Sequence, residues 1–106
     1  DAPTGSGFWH WVVINIPASV TELSLGAGSK GGKLPNGALQ TRTDFGTAGY
    51  GGPCPPEGDH PHRYFFTVHA VGGDINANAD TSAAVIGFQL HFNTLAKSAV
   101  MGLFKR

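Results

Sequence analysis

Cysteine is nearly absent: Cys54 stands alone in 106 residues. No disulfide can form within the chain, and a cysteine-stapled scaffold is excluded. Charge is scarce too. Seven basic residues balance seven acidic ones, and only 13% of the residues are charged. With no basic run beyond Lys105-Arg106, the chain lacks the electrostatic footprint of a nucleic-acid binder. With no charge excess and 10% aromatics, disorder is not expected. No apolar run approaches the roughly 20 residues that cross a bilayer. No segment has the build of a secretory signal peptide. The opening Asp1-Ala2-Pro3 has no initiator Met, as a processed or truncated piece would read.

Glycine and proline are plentiful, at sixteen and seven residues. They imply many turns, and hence short strands rather than a helical bundle. The length fits a single domain over residues 1–106. A core of this size buries roughly 60–65% of the unfolded surface. No internal repeat is present.

Residues 8–16 read Phe-Trp-His-Trp-Val-Val-Ile-Asn-Ile and stop at Pro17. β-Branched and aromatic content predicts a strand, apolar on both faces as in a buried central strand. Alternation places Phe8, His10, Val12 and Ile14 on one face. Residues 26–37 form a Gly- and Lys-containing loop, expected to be mobile and ending in the turn Pro35-Asn36-Gly37. Residues 44–62 form a long irregular stretch whose Phe45, Tyr50 and Cys54 suggest an ordered loop held against the body. Residues 63–71 are the second strong strand, ended by Gly72-Gly73. Asp80 or Thr81 is the expected N-cap of a helix over residues 82–96, with Ala84, Phe88, Phe92 and Leu95 at near-helical spacing. Weaker strands are expected around 20–25, 38–43 and 99–104.

Gly26-Ala27-Gly28-Ser29-Lys30-Gly31 matches the dinucleotide pattern G-x-G-x-x-G. A helix must follow that pattern at once, and Gly32-Lys33-Leu34-Pro35 cannot supply one. His60-Pro61-His62 offers two imidazoles, with His10, Cys54 and Asp59 as further donors. The spacing fits no standard structural zinc pattern, so no metal and no cofactor is assigned. His69 and His91 fit an amphipathic surface or core hydrogen bonds. No G-x-S-x-G is present. A Cys54–His62 thiol pair is conceivable, but prolines on both sides make Cys54 a rigid position and not a helix-start nucleophile.

Asp1, His10, His62 and Tyr64 carry more. His62 and Tyr64 are two apart on one strand and so face the same way, with Phe66 and Val68 continuing that face inward. If this strand neighbours residues 8–16, two imidazoles and a phenol converge. Backbone N–H groups of Gly51-Gly52 would complete an anion site. Asp1 could fix a histidine tautomer. The alternative is that each polar group is satisfied separately in the core.

The opening Asp-Ala-Pro-Thr-Gly-Ser-Gly-Phe-Trp-His-Trp-Val-Val-Ile-Asn-Ile-Pro resembles the first signature of the phosphatidylethanolamine-binding protein (PEBP) family. Gly51-Gly52-Pro53-Cys54-Pro55-Pro56-Glu57-Gly58 with His62-Arg63-Tyr64 is similar to its second, and Leu95-Ala96-Lys97-Ser98-Ala99 to its ending. The spelling is nearest the bacterial, Raf-kinase-inhibitor-like branch. The resemblance covers essentially the whole chain, as the C-terminal two-thirds of a member. It implies a mainly β fold: a Greek-key antiparallel β-sandwich with a short C-terminal helix, whose N-terminal strands are missing here. It also implies a small pocket that binds anions or phospholipid head groups, formed by Asp1, Pro3, His10, Gly52, Pro53, His62 and Tyr64. For Cys54 it implies either a bridge to an N-terminal cysteine or a buried free thiol.

The function expected is therefore a non-catalytic binding module for a small anionic or phosphorylated ligand that can regulate a partner protein. One alternative is a kinase or protease inhibitor acting through the loops 26–37 and 44–62. A less favoured one is a metal-assisted or thiol hydrolase. The expected partners are the ligand, an N-terminal segment of the same protein and a regulated kinase or protease. Without that segment, residues 1–106 are not expected to fold autonomously, since a closed sandwich takes about seven strands. Neither nucleic acid nor a membrane span enters this reading, and the compartment stays open.

Overall fold

A computed structural model describes all residues, 1–106. Its elements run β1 (Val13–Ile14), β2 (Leu39–Gln40), β3 (His62–Val71), α1 (Ala83–Asn93) and β4 (Thr94–Phe104). The fold is mainly β with one helix. β1 pairs with β2 and β3 with β4, both antiparallel, in two separate two-stranded sheets. The expected sandwich is therefore not closed within these residues.

The strand expected over residues 8–16 shortens to a two-residue ladder. Asn15 sets its end: its φ of 58° lies in the left-handed region, which ends strand alternation. Its side chain compensates by mimicking a paired backbone. Nδ2 donates to the Ile75 carbonyl at 2.9 Å, and the Ile75 N–H donates to Oδ1 at 2.7 Å. Upstream, the chain still runs alongside residues 41–44. The Thr41 N–H donates to the Val12 carbonyl and the Asp44 N–H to the Trp9 carbonyl.

The strand at 63–71 forms as expected, one residue longer at its start. Its partner is longer than expected. β4 begins at Thr94, where the predicted helix was to continue, and runs in register from His62↔Phe104 to Val71↔Thr94 with an irregularity at Ala70/Val71. The helix is thus shorter than predicted, and the closing strand expected at 99–104 begins five residues earlier. Ser82, not Asp80 or Thr81, caps it by accepting from the Val85 N–H. No strand forms at 20–25, where residues 25–31 fold into successive turns instead. No helix of the protein is long and apolar enough to cross a membrane.

The core is Ile14, Ile75 and Ile86, against which Val12, Leu39, Val71, Ala77 and Leu90 pack. The helix therefore packs through Ile86 and Leu90. The Phe88 and Phe92 stripe that predicted it is 67% and 71% exposed. Phe66 and Val68, expected to point inward, are 47% and 65% exposed. Both faces of the β3–β4 ribbon are largely uncovered. The accessible surface is 7414 Å², whereas a compact monomer of 11.0 kDa exposes about 5,600 Å². About 1,800 Å² of surface, much of it apolar, lacks the cover that a sandwich provides.

The glycine-rich loop is not loose. Ala27 and Gly28 are buried, and the Gly28 carbonyl accepts the Tyr50 N–H at 2.9 Å. A Cβ at Gly28 would collide with the Trp11 indole, so glycine allows that close approach. Trp11 in turn donates through Nε1 to Gln40 at 2.6 Å. The stretch 44–62 is held to the body as expected, by bonds from Gly51 to His10 and between Gly58 and Arg106.

Candidate functional site

His10 is held by two bonds to the Gly51-Gly52 turn. The Gly51 N–H donates to the His10 carbonyl at 2.9 Å, and the His10 Nδ1 lies 2.6 Å from the Gly52 carbonyl. A carbonyl only accepts, so Nδ1 carries the proton and the neutral ring keeps its lone pair on Nε2. This arrangement corrects one expectation: the Gly51 N–H is already committed to His10 and is not available to an anion. Gly52, at a φ of 68°, has an N–H with no backbone partner.

Three aromatic rings surround the His10 imidazole edge-to-face. Their centroids lie 5.2 Å away for Phe8, 5.2 Å for Phe45 and 5.4 Å for Tyr64. Phe8 and Phe45 also contact each other at 4.9 Å. The strand alternation that grouped Phe8 with His10 carried a signal for Phe8. Phe45 carried none, because it arrives from the long loop. A Cβ at Gly51 would overlap the Phe45 ring, so this glycine is what lets the loop bring Phe45 against His10. Burial pushes the Tyr64 hydroxyl above the ordinary tyrosine range, against the opposing pull of the Cys54 backbone. Tyr64 is thus a neutral donor at any physiological pH.

His62 lies two residues from Tyr64 on the same face of β3, about 6.6 Å along the strand. Its ring does not join the His10 cluster. Its Nε2 lies 2.8 Å from Asp59 Oδ2, and its ring neighbours His60 at 4.9 Å. The hydrogen bond from His62, reinforced by the His60 N–H, holds the Asp59 carboxyl below the usual carboxylate range. His62 is 5% exposed.

Asp1 does not fix a histidine tautomer. It grips Arg63, accepting from the backbone N–H at 3.1 Å and from Nε at 2.7 Å. Strand alternation explains this, since Arg63 faces away from His62 and Tyr64. Pro3 is exposed, and Pro53 is half-buried beside Gly52. The structure thus brings together His10, Gly52 and Tyr64, sets His62 beside them on β3, and ties Asp1 to the opposite face. Cys54 is free and exposed, not the buried thiol expected in the absence of a bridge. His69 bonds Thr94 at 3.0 Å, and exposed His91 packs edge-on against Phe92.

Comparison with known proteins bears on the family and the fold. Residues 1–105 match the family model described as "Phosphatidylethanolamine-binding protein". The UPF0098 protein YbcL of Escherichia coli K12 is 50% identical over 99% of this chain and 58% of its own length. The UPF0098 protein YbhB of the same strain is 50% identical over 98% of this chain and 66% of its own. The crystal structure of E. coli YbcL, described as a new member of the mammalian PEBP family, superposes with a TM-score of 0.93 at 49% identity. It is matched over 100% of this chain and 66% of that one. The chain spans about three-fifths to two-thirds of the length of these relatives. By family model, by identity and by fold, it belongs to the phosphatidylethanolamine-binding protein family.

Proposed function

We propose that the chain is a non-catalytic binding module for a small anion or phosphorylated ligand. The observation that carries this reading is the His10 cluster: an imidazole locked by Gly52, a neutral phenol from Tyr64, and apolar walls from Phe8 and Phe45. Such a mostly apolar wall with few convergent polar groups is the usual build of a small-ligand site. The ligand accepts from the Tyr64 hydroxyl and the Gly52 N–H, and from His10 Nε2 once the ring is doubly protonated. His62 borders the site from the next position on β3, and Pro3, Pro53 and Gly52 shape its backbone.

The absence of catalysis is part of the proposal. Cys54 has no imidazole partner among the histidine hydrogen bonds, and within the His10 cluster the imidazole is bonded to the Gly52 carbonyl and not to a thiol or hydroxyl that it could activate. The family's Greek-key sandwich is completed, in this reading, by an N-terminal segment lying over the uncovered ribbon. Regulation of a kinase or protease partner would follow from ligand occupancy of the site.

Titration calorimetry with inorganic phosphate and with phosphoethanolamine tests the site. Saturable binding that His10→Ala removes supports the reading. Equal affinity in the wild type and in the His10→Ala and Tyr64→Phe variants would reject it. Tighter binding of phosphoethanolamine than of phosphate would identify a head-group ligand, and equal binding a free anion.

A further inference from the structure

Asp59, His60 and His62 gather where the long loop enters β3. Each offers one ligating atom, and these atoms lie within 4.8 Å of one another. Asp59 Oδ2 is 2.8 Å from His62 Nε2, and Asp59 Oδ1 is 4.0 Å from His60 Nε2. In a tetrahedral zinc site, donors about 2.0–2.2 Å from the ion stand roughly 3.3–3.6 Å apart. That spacing falls within the spread observed, so sub-ångström to ångström movements of exposed side chains would close the site.

The surroundings fit ligation as well. His60 Nδ1 lies 2.9 Å from the Pro61 carbonyl, so Nδ1 is the protonated nitrogen and Nε2 holds the lone pair. A hydrogen bond of this kind behind a ligating imidazole fixes its tautomer and its aim. The His60 N–H donates to Asp59 Oδ1 at 2.9 Å and orients the carboxylate. The side chain of His62 is 7% exposed, those of Asp59 and His60 42% and 64%. One donor thus forms a buried wall and two stand at a solvent entrance. His10 is not part of the set, because its ring is bonded to Gly52.

We propose that Asp59, His60 and His62 form a three-ligand site for a divalent transition metal of the zinc class, with a fourth position open to solvent. Two imidazoles and one carboxylate suit zinc and disfavour the hard cations calcium and magnesium, which take oxygen donors. The ion takes the place of the proton that His62 Nε2 donates to Asp59: from a neutral ring that proton is exchanged through solvent to Nδ1, and from a doubly protonated ring it is released to solvent, so the ligating imidazole is neutral in both cases. Sequence spacing alone did not assign this site, because Asp59 comes back against His62 only through the turn at residues 57–59. The proposal goes beyond the anion reading and does not rest on it.

The test uses the complete natural polypeptide carrying these residues, free of tags, treated with EDTA and kept in phosphate-free buffer. Titration calorimetry with zinc chloride is expected to show one saturable site per chain. Cobalt chloride is expected to give the visible absorption of a four-coordinate nitrogen–oxygen site. His60→Ala, at an exposed position, is expected to weaken zinc binding at least about tenfold with an unchanged melting temperature in EDTA. Asp59→Asn is expected to weaken it similarly and to alter the cobalt spectrum. No saturable binding up to about 1 mM zinc, or wild-type affinity in both variants, would overturn the proposal. Phosphate titrations of the same protein in EDTA keep the two readings apart. Zinc failure with phosphate binding retained removes only the metal site, and the converse removes only the anion site.

Discussion

The His10 imidazole and the Gly52 carbonyl lie 2.6 Å apart, and that one contact sets the chemistry of the site. It commits Nδ1 as a donor to the protein, so neutral His10 presents only a lone pair at Nε2. Binding an anion there requires a second proton on the ring. A ligand that carries its own donor, such as an ammonium or hydroxyl group, meets no such requirement.

Phosphate affinity is therefore expected to depend on the His10 ring. His10→Ala is expected to cost about 1.5–3 kcal/mol of phosphate binding, the worth of a charge-assisted hydrogen bond. Calorimetry of the two proteins with inorganic phosphate measures the difference, and an unchanged affinity would remove His10 from the site.

Tyr64 is expected to ionise late. Burial raises its pKa in the folded state, so the folded protein keeps the phenolic proton after the unfolded chain has lost it. The stability this contributes is fully present below the ordinary tyrosine pKa of about 10. It is lost as the pH climbs through the higher folded value. Spectrophotometric titration of EDTA-treated wild type and Tyr64→Phe, followed at the phenolate band, would give the difference. A component at the ordinary value in the difference between the two proteins would contradict the assignment.

Asp1→Ala is expected to leave phosphate binding nearly unchanged. Its carboxylate holds Arg63 on the outer face of β3, and an exposed pair of this kind contributes about 0.2–1 kcal/mol. A slightly lower melting temperature with binding within about twofold of wild type is the expected pattern. A tenfold loss of phosphate affinity would return Asp1 to the site.

Gly51→Ala is expected to damage the site without touching a polar group. The new methyl would overlap the Phe45 ring and drive it from His10, at the roughly 1–3 kcal/mol typical of overpacking. Reduced stability together with weaker phosphate binding, measured by thermal melting and calorimetry, is the expected outcome. Gly52→Ala acts differently, since nothing crowds that position but its φ of 68° disfavours a side chain.

Residues 1–106 expressed alone are expected to aggregate or to melt without cooperativity. The three-isoleucine core and the uncovered β3–β4 ribbon are too little for independent stability, since an isolated two-stranded ribbon is marginal in water. Supplying the N-terminal third of a relative such as YbcL in trans is expected to restore a sharp transition. A monomeric, cooperative melt of the isolated chain by calorimetry and sedimentation would overturn this.

Local sequence was enough to locate β3, whose β-branched and aromatic run needs no distant partner to be read, and α1, whose 3.6-residue periodicity announces it. It was enough, too, for the family, because Asp1-Ala2-Pro3 and His62-Arg63-Tyr64 are contiguous words. Which face each element presents was decided elsewhere. Periodicity cannot tell a buried stripe from an uncovered one, so Phe88 and Phe92 face solvent while Ile86 enters the core. Asn15 ends the first strand only because Ile75, sixty residues away, is there to complete its side-chain bonds. His10 and Tyr64 meet across fifty-four positions, with Phe45 brought in by a loop that carries no periodic signal. Asp1 chose Arg63 over a histidine because strand alternation puts neighbouring side chains on opposite faces, and only the folded chain says on which face Asp1 arrives.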